Sequence, residues 1–190
     1  MKGRESGMPD EVDWEAFFDA PTALDRIFDS QAIVGDAVEF GCGYGTFTIP
    51  GALRTTGMFA ALDIEPEMTC LTAERAALLN LTNVRTEVRD FVTDGTGLAA
   101  SSQAHAMIYN LLHIEEPLAL LKEARRVVKP GGALSVMHWR SDVPTPRGPP
   151  LEMRPSPGHC RAWMKDAGFR TVQTVDLADV CPYHFALVGT

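Results

Sequence analysis

Residues 37 to 47, AVEFGCGYGTF, constrain this chain more than any other stretch. A short apolar strand (Ala37, Val38, Phe40) carries one acid, Glu39, and then breaks into three alternating glycines, Gly41, Gly43 and Gly45. Glycines at that density after a buried strand let the backbone turn sharply and approach a ligand that no Cβ would tolerate. An acid just ahead of them suits a cationic ligand group better than a phosphate. Twenty residues past Gly43 stands Asp63, at the end of a second apolar strand over residues 58–62. An open α/β sheet places a carboxylate there to grip ribose hydroxyls. These features together predict a site for a nucleoside with a charged tail.

The elements along the chain agree with such a sheet. Apolar spacing predicts a helix over residues 13–29 with Pro21 as a break, and a short helix over 45–54. Pro66 suits the first turn of a helix running to about Asn80. Strands are expected at 84–88 and 104–109. Pro117 opens a helix that Lys129-Pro130-Gly131-Gly132 should end, ahead of a strand from Ala133 to Trp139. Six prolines between residues 141 and 157 predict a semi-rigid loop. A helix over 158–167 follows, then strands 171–175 and 183–188 able to pair as an antiparallel hairpin. Strands alternating with helices imply parallel βαβ units in a doubly wound α/β sheet.

Size and charge narrow the function. A chain of 190 residues suits one domain with a sizeable core. A net charge of −8 argues against nucleic acid as the main partner, because phosphate binding needs a basic face. No apolar run approaches the ~20 residues of a membrane span. The first residues lack the apolar core of a signal peptide and are expected to be mobile through residue 11. Cys42, Cys70, Cys160 and Cys181 show no paired spacing, which fits reduced thiols and a cytoplasmic setting.

The order VEFGCGYG, ALDIEPEM, EVRDFV, IYNLLHIEEP, LKEARRVVKPGGAL resembles the class I S-adenosylmethionine-dependent methyltransferases over about residues 34–138. The tail, with WR, TPRGPP and an AGF turn, resembles a small bacterial subgroup of the methyltransferase-11/25 type. The resemblance implies a single Rossmann-like domain over residues 1–190. Its seven-stranded sheet would be mostly parallel, in the order 3-2-1-4-5-7-6, with an antiparallel C-terminal hairpin. It implies S-adenosylmethionine as cofactor. Glu39 would face the methionine ammonium, and Gly41, Cys42, Gly43 and Gly45 would lie under the methionine and ribose. Asp63 would hold the ribose hydroxyls, Ile64 and Met68 would sit beside the nucleoside, and Asp90 and Phe91 would meet the adenine edge. Asn110 and Leu111 would approach the methionine part and the substrate.

Around the expected methyl group the residues permit more than one reading. His113 fits a general base or a substrate contact, or else a histidine bonded to backbone. Tyr109, Trp139, Arg140 and Arg147 are candidates for the substrate mouth, Arg140 for an anionic group. Ordinary packing and a surface ion pair explain Trp139 and Arg140 equally well. Trp14, Phe17 and Phe18 read either as a lid or as the buried face of a helix. His159, Cys160, Cys181 and His184 carry a weak zinc-like spacing, but strand alternation would send Cys181 and His184 to opposite faces, so no metal is expected. The Asn/Asp-Pro-Pro-aromatic signature of amino methylation is absent after the fourth strand, where the chain reads Asn110-Leu111-Leu112-His113. The expected activity is in-line methyl transfer to a small-molecule acceptor by a monomer or homodimer, away from membranes and nucleic acid. Two alternatives stand beside it. One is a cofactor-binding module without catalysis. The other is a nicotinamide oxidoreductase, disfavoured by Thr46 at the position its fingerprint gives to glycine or alanine and by Glu39.

Overall fold

The computed structural model describes residues 10–190, so most of the N-terminal stretch expected to be mobile lies outside the described residues. Seven strands form one sheet: β1 (Asp36–Phe40), β2 (Phe59–Asp63), β3 (Val84–Val88), β4 (Gln103–Tyr109), β5 (Val128–Trp139), β6 (Val172–Val175) and β7 (His184–Gly189). Their order is β3-β2-β1-β4-β5-β7-β6. The first five run parallel, while β7 pairs antiparallel with both β5 and β6. The doubly wound sheet and its C-terminal hairpin are therefore as the sequence predicts. Strand order reverses between β1 and β4, and the crevice outside their carboxyl ends is where such a sheet binds ligands.

The described residues form six α-helices: α1 (Glu11–Glu15), α2 (Ala20–Ile27), α3 (Thr48–Leu53), α4 (Pro66–Leu78), α5 (Pro117–Val127) and α6 (Pro157–Asp166). Period-two alternation along the strands sorts the core into two layers. Val38, Phe40, Ile108, Leu134 and Val136 pack with Leu120, Leu121 and Ala124 of α5 and Met164 of α6. Ala37, Phe59, Met107 and Met137 pack on the other face against Ala23, Leu24 and Ile27 of α2. Burying each large side chain contributes roughly 1.5–3 kcal/mol. This two-sided burial holds the β1 and β4 ends rigid.

Two boundaries differ from expectation. The single helix over 13–29 is two helices, and the break falls at residues 16–19 instead of at Pro21. Pro21 lies in the first turn of α2, where a missing N–H costs nothing, and Asp19 caps that turn by accepting from the Thr22 amide at 3.2 Å. The second difference is at Lys129-Pro130-Gly131-Gly132. α5 does end there, at Val127, but the chain passes straight into β5 five residues before Ala133. Gln103 pairs with Val128 and His105 with Ala133, so the extra residues bulge out of the ladder. A bulge accommodates Pro130 and the left-handed Gly131, which a regular central strand would not.

Candidate active site

The glycine loop is bolted to β2. The Gly41 and Cys42 amides both donate to the Leu62 carbonyl, at 2.8 and 2.9 Å. The Gly43 amide donates to Asp63 Oδ2 at 2.9 Å, and the Glu65 amide to Oδ1 at 3.0 Å. Gly41, Gly43 and Gly45 all have left-handed backbone, with φ of 75°, 52° and 79°. A Cβ on Gly41 would stand 3.1 Å from the Leu111 side chain, so the loop after β4 closes directly over it. Thr72 of α4 ties the loop from below, its hydroxyl donating to the Gly43 carbonyl at 2.9 Å. Asp63 is buried, and burial raises its pKa above the usual carboxylate value. The Ile64 amide also approaches this carboxylate, which with about four lone-pair sites keeps room for a further donor.

Glu39 is 2 % exposed, and its Oε2 accepts from the Thr48 hydroxyl at 2.5 Å. Burial, reinforced by the charge of Asp63, pushes its pKa up to about 8. A carboxylate so desolvated is poised for a cation, which would restore its charged form. Cys42 is buried beside these acids, and burial pushes its thiol well above the ordinary range, which disfavours the thiolate. Met68 is buried at the start of α4, and Ile64 follows Asp63 directly.

At the end of β3, Asp90 takes a local role. Its Oδ1 accepts from the amides of Val92 (3.2 Å) and Thr93 (3.1 Å), and Oδ2 from the Thr93 hydroxyl. It caps the turn that positions Phe91, whose ring meets Phe40 edge-on at 5.4 Å. At the end of β4, Asn110 has a left-handed φ of 58°, an uncommon conformation for a residue with a side chain. Its amide donates to the Met137 carbonyl at 2.7 Å, which locks it between β4 and β5. Both polar atoms of its side chain are buried without a hydrogen-bond partner among the described residues. Orphaned polar atoms cost about 1–3 kcal/mol each. Asn110 stands at the carboxyl end of β4, next to Leu111, whose side chain meets the Gly41 turn.

The mouth candidates separate. The Tyr109 ring is buried, with its hydroxyl 2.8 Å from Ser135 Oγ, which also meets His105 Nε2 at 2.9 Å. The structure thus gives Tyr109 a place in an internal polar chain. Trp139 is buried under Phe17 and Trp14, with ring centroids 5.3 and 6.4 Å away. The aromatic stretch of residues 14–18 thus covers β5. Arg140 is forked onto Asp142, and Arg147 reaches Asp13 of α1 at 3.4 Å. His113 is half-buried, and its Nδ1 lies 3.3 Å from His138 Nε2. Arg154 escaped sequence reasoning. Its guanidinium donates to the carbonyls of Pro149, Arg140 and Arg147 and lies over the Trp139 ring, binding the proline-rich loop together. Thr48 and Thr72 were equally invisible, since a threonine on a helix gives no sign of its partner. Among the described residues no group of three or more His, Cys, Asp or Glu could hold a metal ion. Nor is any helix among them long and apolar enough to cross a membrane.

An open α/β sheet with a glycine loop, a strand-end carboxylate and a buried acid at its switch point defines a nucleoside-cofactor protein. A methyltransferase-domain family model matches residues 37–132, half of the chain, and the chain belongs to that family. A curated relative, an uncharacterized 37.1 kDa protein in transposon TN4556 of Streptomyces fradiae, is 30% identical over 151 residues, 70% of this chain. The chain spans about two fifths of that relative's length (41%). Among solved structures, an S-adenosylmethionine-dependent methyltransferase from Aquifex aeolicus matches with a TM-score of 0.78 at 24% identity, covering 95% of this chain and 93% of that one. Geranyl diphosphate methyltransferase in complex with S-adenosylmethionine matches at 0.67 and 14%, covering 96% and 91%. The [4+2]-cyclase SpnF matches at 0.69 and 16%, covering 89% and 79%. The fold is that of the class I S-adenosylmethionine-dependent methyltransferases.

Proposed function

We propose that this chain binds S-adenosylmethionine at the β1–β4 switch point and transfers its methyl group to a small-molecule acceptor. The observation that carries the reading is the convergence of three unsatisfied features on one crevice. They are the desolvated acid Glu39, the spare lone pairs of Asp63 and the orphaned Asn110 amide. The cofactor fits them, because it carries an ammonium, ribose hydroxyls and a carboxylate. Asp63 would accept from the ribose hydroxyls, Glu39 would face the ammonium, and the Gly41–Gly45 backbone would lie beneath. Leu111 and Phe91 would wall the remaining sides. When bound, S-adenosylmethionine supplies a methyl group activated by a sulfonium. The protein's part is to orient the acceptor in line and to keep the site dry.

The acceptor class is read from the mouth. Trp14 and Phe17, packed over the buried Trp139, present apolar aromatic surface, and the loop held by Arg154 closes one side. Arg140 and Arg147 already face Asp142 and Asp13, so neither offers an unpaired cation to a phosphate backbone. This favours a small, partly apolar molecule over nucleic acid. The test is transfer of labelled methyl from S-adenosylmethionine into pools of small molecules, protein or RNA. Label in the small-molecule pool, matched by S-adenosylhomocysteine, is expected. Label confined to protein or RNA would refute the acceptor class.

A further inference from the structure

At the carboxyl end of β4 and β5 two histidines and a carbonyl stand in line. His138 Nδ1 lies 3.1 Å from the Trp139 carbonyl oxygen. A carbonyl only accepts, so Nδ1 carries the hydrogen and Nε2 of the neutral ring has a bare lone pair. The ring is neutral because it is wholly buried, with the charge of Arg154 and the rings of His113 and His184 facing it; its pKa is held down at about 3. His113 Nδ1 stands 3.3 Å from that lone pair. Two bare nitrogens would repel, so His113 supplies the hydrogen. His113 is thereby fixed in its Nδ1–H form. Its Nε2 is left as a bare acceptor, without a hydrogen-bond partner among the described residues. His113 lies in the turn after β4, three residues beyond Asn110, at the carboxyl end of the sheet where such folds bind ligands.

We infer that His113 Nε2 takes the proton of an acceptor bearing an O–H or N–H group, and that His138 is the positioning residue that sets its tautomer through the Trp139 carbonyl. The inference rests on the methyl transfer proposed above and narrows its acceptor to groups that must lose a proton. A thiolate or a halide needs no such base. In the step, the acceptor's O–H or N–H bond breaks and its electron pair stays behind as the attacking lone pair. The proton forms a new N–H bond at His113 Nε2. The resulting imidazolium still donates from Nδ1 to His138, a bond that strengthens with the charge, and later releases its extra proton to water.

The tautomer is directly visible in long-range proton–nitrogen correlation spectra of the nitrogen-15-labelled protein without ligand. The wild type is expected to show His113 with a protonated Nδ1 and an unprotonated Nε2. His138→Phe keeps a ring of similar size but removes the acceptor, and should shift His113 to an average of both tautomers. His138→Gln offers an amide oxygen in its place and should restore the Nδ1–H form. With a hydroxyl-bearing acceptor, kcat should fall at least ~10-fold in His138→Phe, with KM within about twofold. A wild-type His113 protonated at Nε2, or a His113 spectrum unchanged in His138→Phe, overturns the inference. Should His138→Phe fail to fold, the wild-type and His138→Gln spectra still decide it. Calorimetry with S-adenosylhomocysteine separates the two levels. A wild type that fails to bind it overturns methyl transfer itself, whatever the tautomer.

Discussion

At the scale of single residues the site is a set of groups held at a cost that a ligand would relieve. Glu39 is the strongest case. Its unfolded carboxyl ionises near its ordinary value of 4.5, whereas the folded one stays protonated up to about 8. Across that window the folded state holds the extra proton, so Glu39 makes the ligand-free protein lose stability as pH rises, by up to about 1.4 kcal/mol per pH unit. Buried His105 and His138, neutral down to about 3, push the other way below about 6.5, so the comparison must be wild type against Glu39→Gln. The stability of the wild type relative to Glu39→Gln, read from denaturant midpoints, should fall from pH 5 to pH 8. A difference independent of pH would show that Glu39 is ionised when folded. A bound ammonium would restore the carboxylate, so near pH 7 binding of S-adenosylmethionine should release a proton, seen as a calorimetric heat that varies with the buffer. Asp63→Ala removes the acceptor shared by Gly43 and Glu65 and should weaken binding of S-adenosylhomocysteine at least ~10-fold, about 1.5–3 kcal/mol for a charged hydrogen bond, with the circular dichroism unchanged. Undiminished affinity would displace the ribose from Asp63. The positions of Glu39, Asp63 and the three glycines were legible from the sequence because each lies at the end of an apolar strand or in the turn after it. Asn110 was legible as a position, but its left-handed backbone and orphaned amide appear only when β5 packs beside it.

At the scale of elements, order and type followed from period and punctuation, and boundaries followed from packing. Pro21 looked like a break because its sequence position does not say whether it starts a helix or interrupts one. The break belongs instead to residues 16–19, where Phe17 and Phe18 turn inward to meet Trp139 and Phe47. Lys129-Pro130-Gly131-Gly132 ends α5 as expected, yet pairing of Val128 with Gln103 on the neighbouring strand draws the same residues into a bulged start of β5. The proline-rich loop was legible as irregular, but its organiser was not. Arg154 reaches carbonyls 5, 7 and 14 residues away, and no spacing rule singles out such an arginine. Gly148 belongs to the same arrangement, with φ of 103° and a Cβ position 2.8 Å from the Trp139 ring. Arg154→Ala should destabilise the protein by roughly 2–3 kcal/mol and expose residues 141–157 to proteolysis, because three carbonyls lose a charged donor. Wild-type stability together with an unchanged cleavage pattern would show that the prolines alone hold the loop.

At the scale of the whole molecule, two apolar layers clamp a mostly parallel sheet and leave the carboxyl ends of β1 and β4 as the open crevice. Every residue proposed to meet the cofactor lies near a strand end or in the turn after it, apart from Met68 of α4. The topology was legible because five strand–turn signals recur in a fixed order. The acceptor was not, because the proposed mouth would draw on α1, the turn after β4 and the proline-rich loop, and the contacts joining α1 to the rest, Trp14 on Trp139 and Arg147 on Asp13, are distant in sequence. The fold alone does not decide the chemistry, since the same architecture occurs in a protein described as a [4+2]-cyclase. The identity of the cofactor therefore decides the chemistry. Isothermal titration of the purified chain with S-adenosylmethionine, S-adenosylhomocysteine and NAD in parallel tests it most directly. Micromolar binding of the first two with no heat from NAD is the predicted result. Binding of NAD alone, or silence from all three, would contradict it.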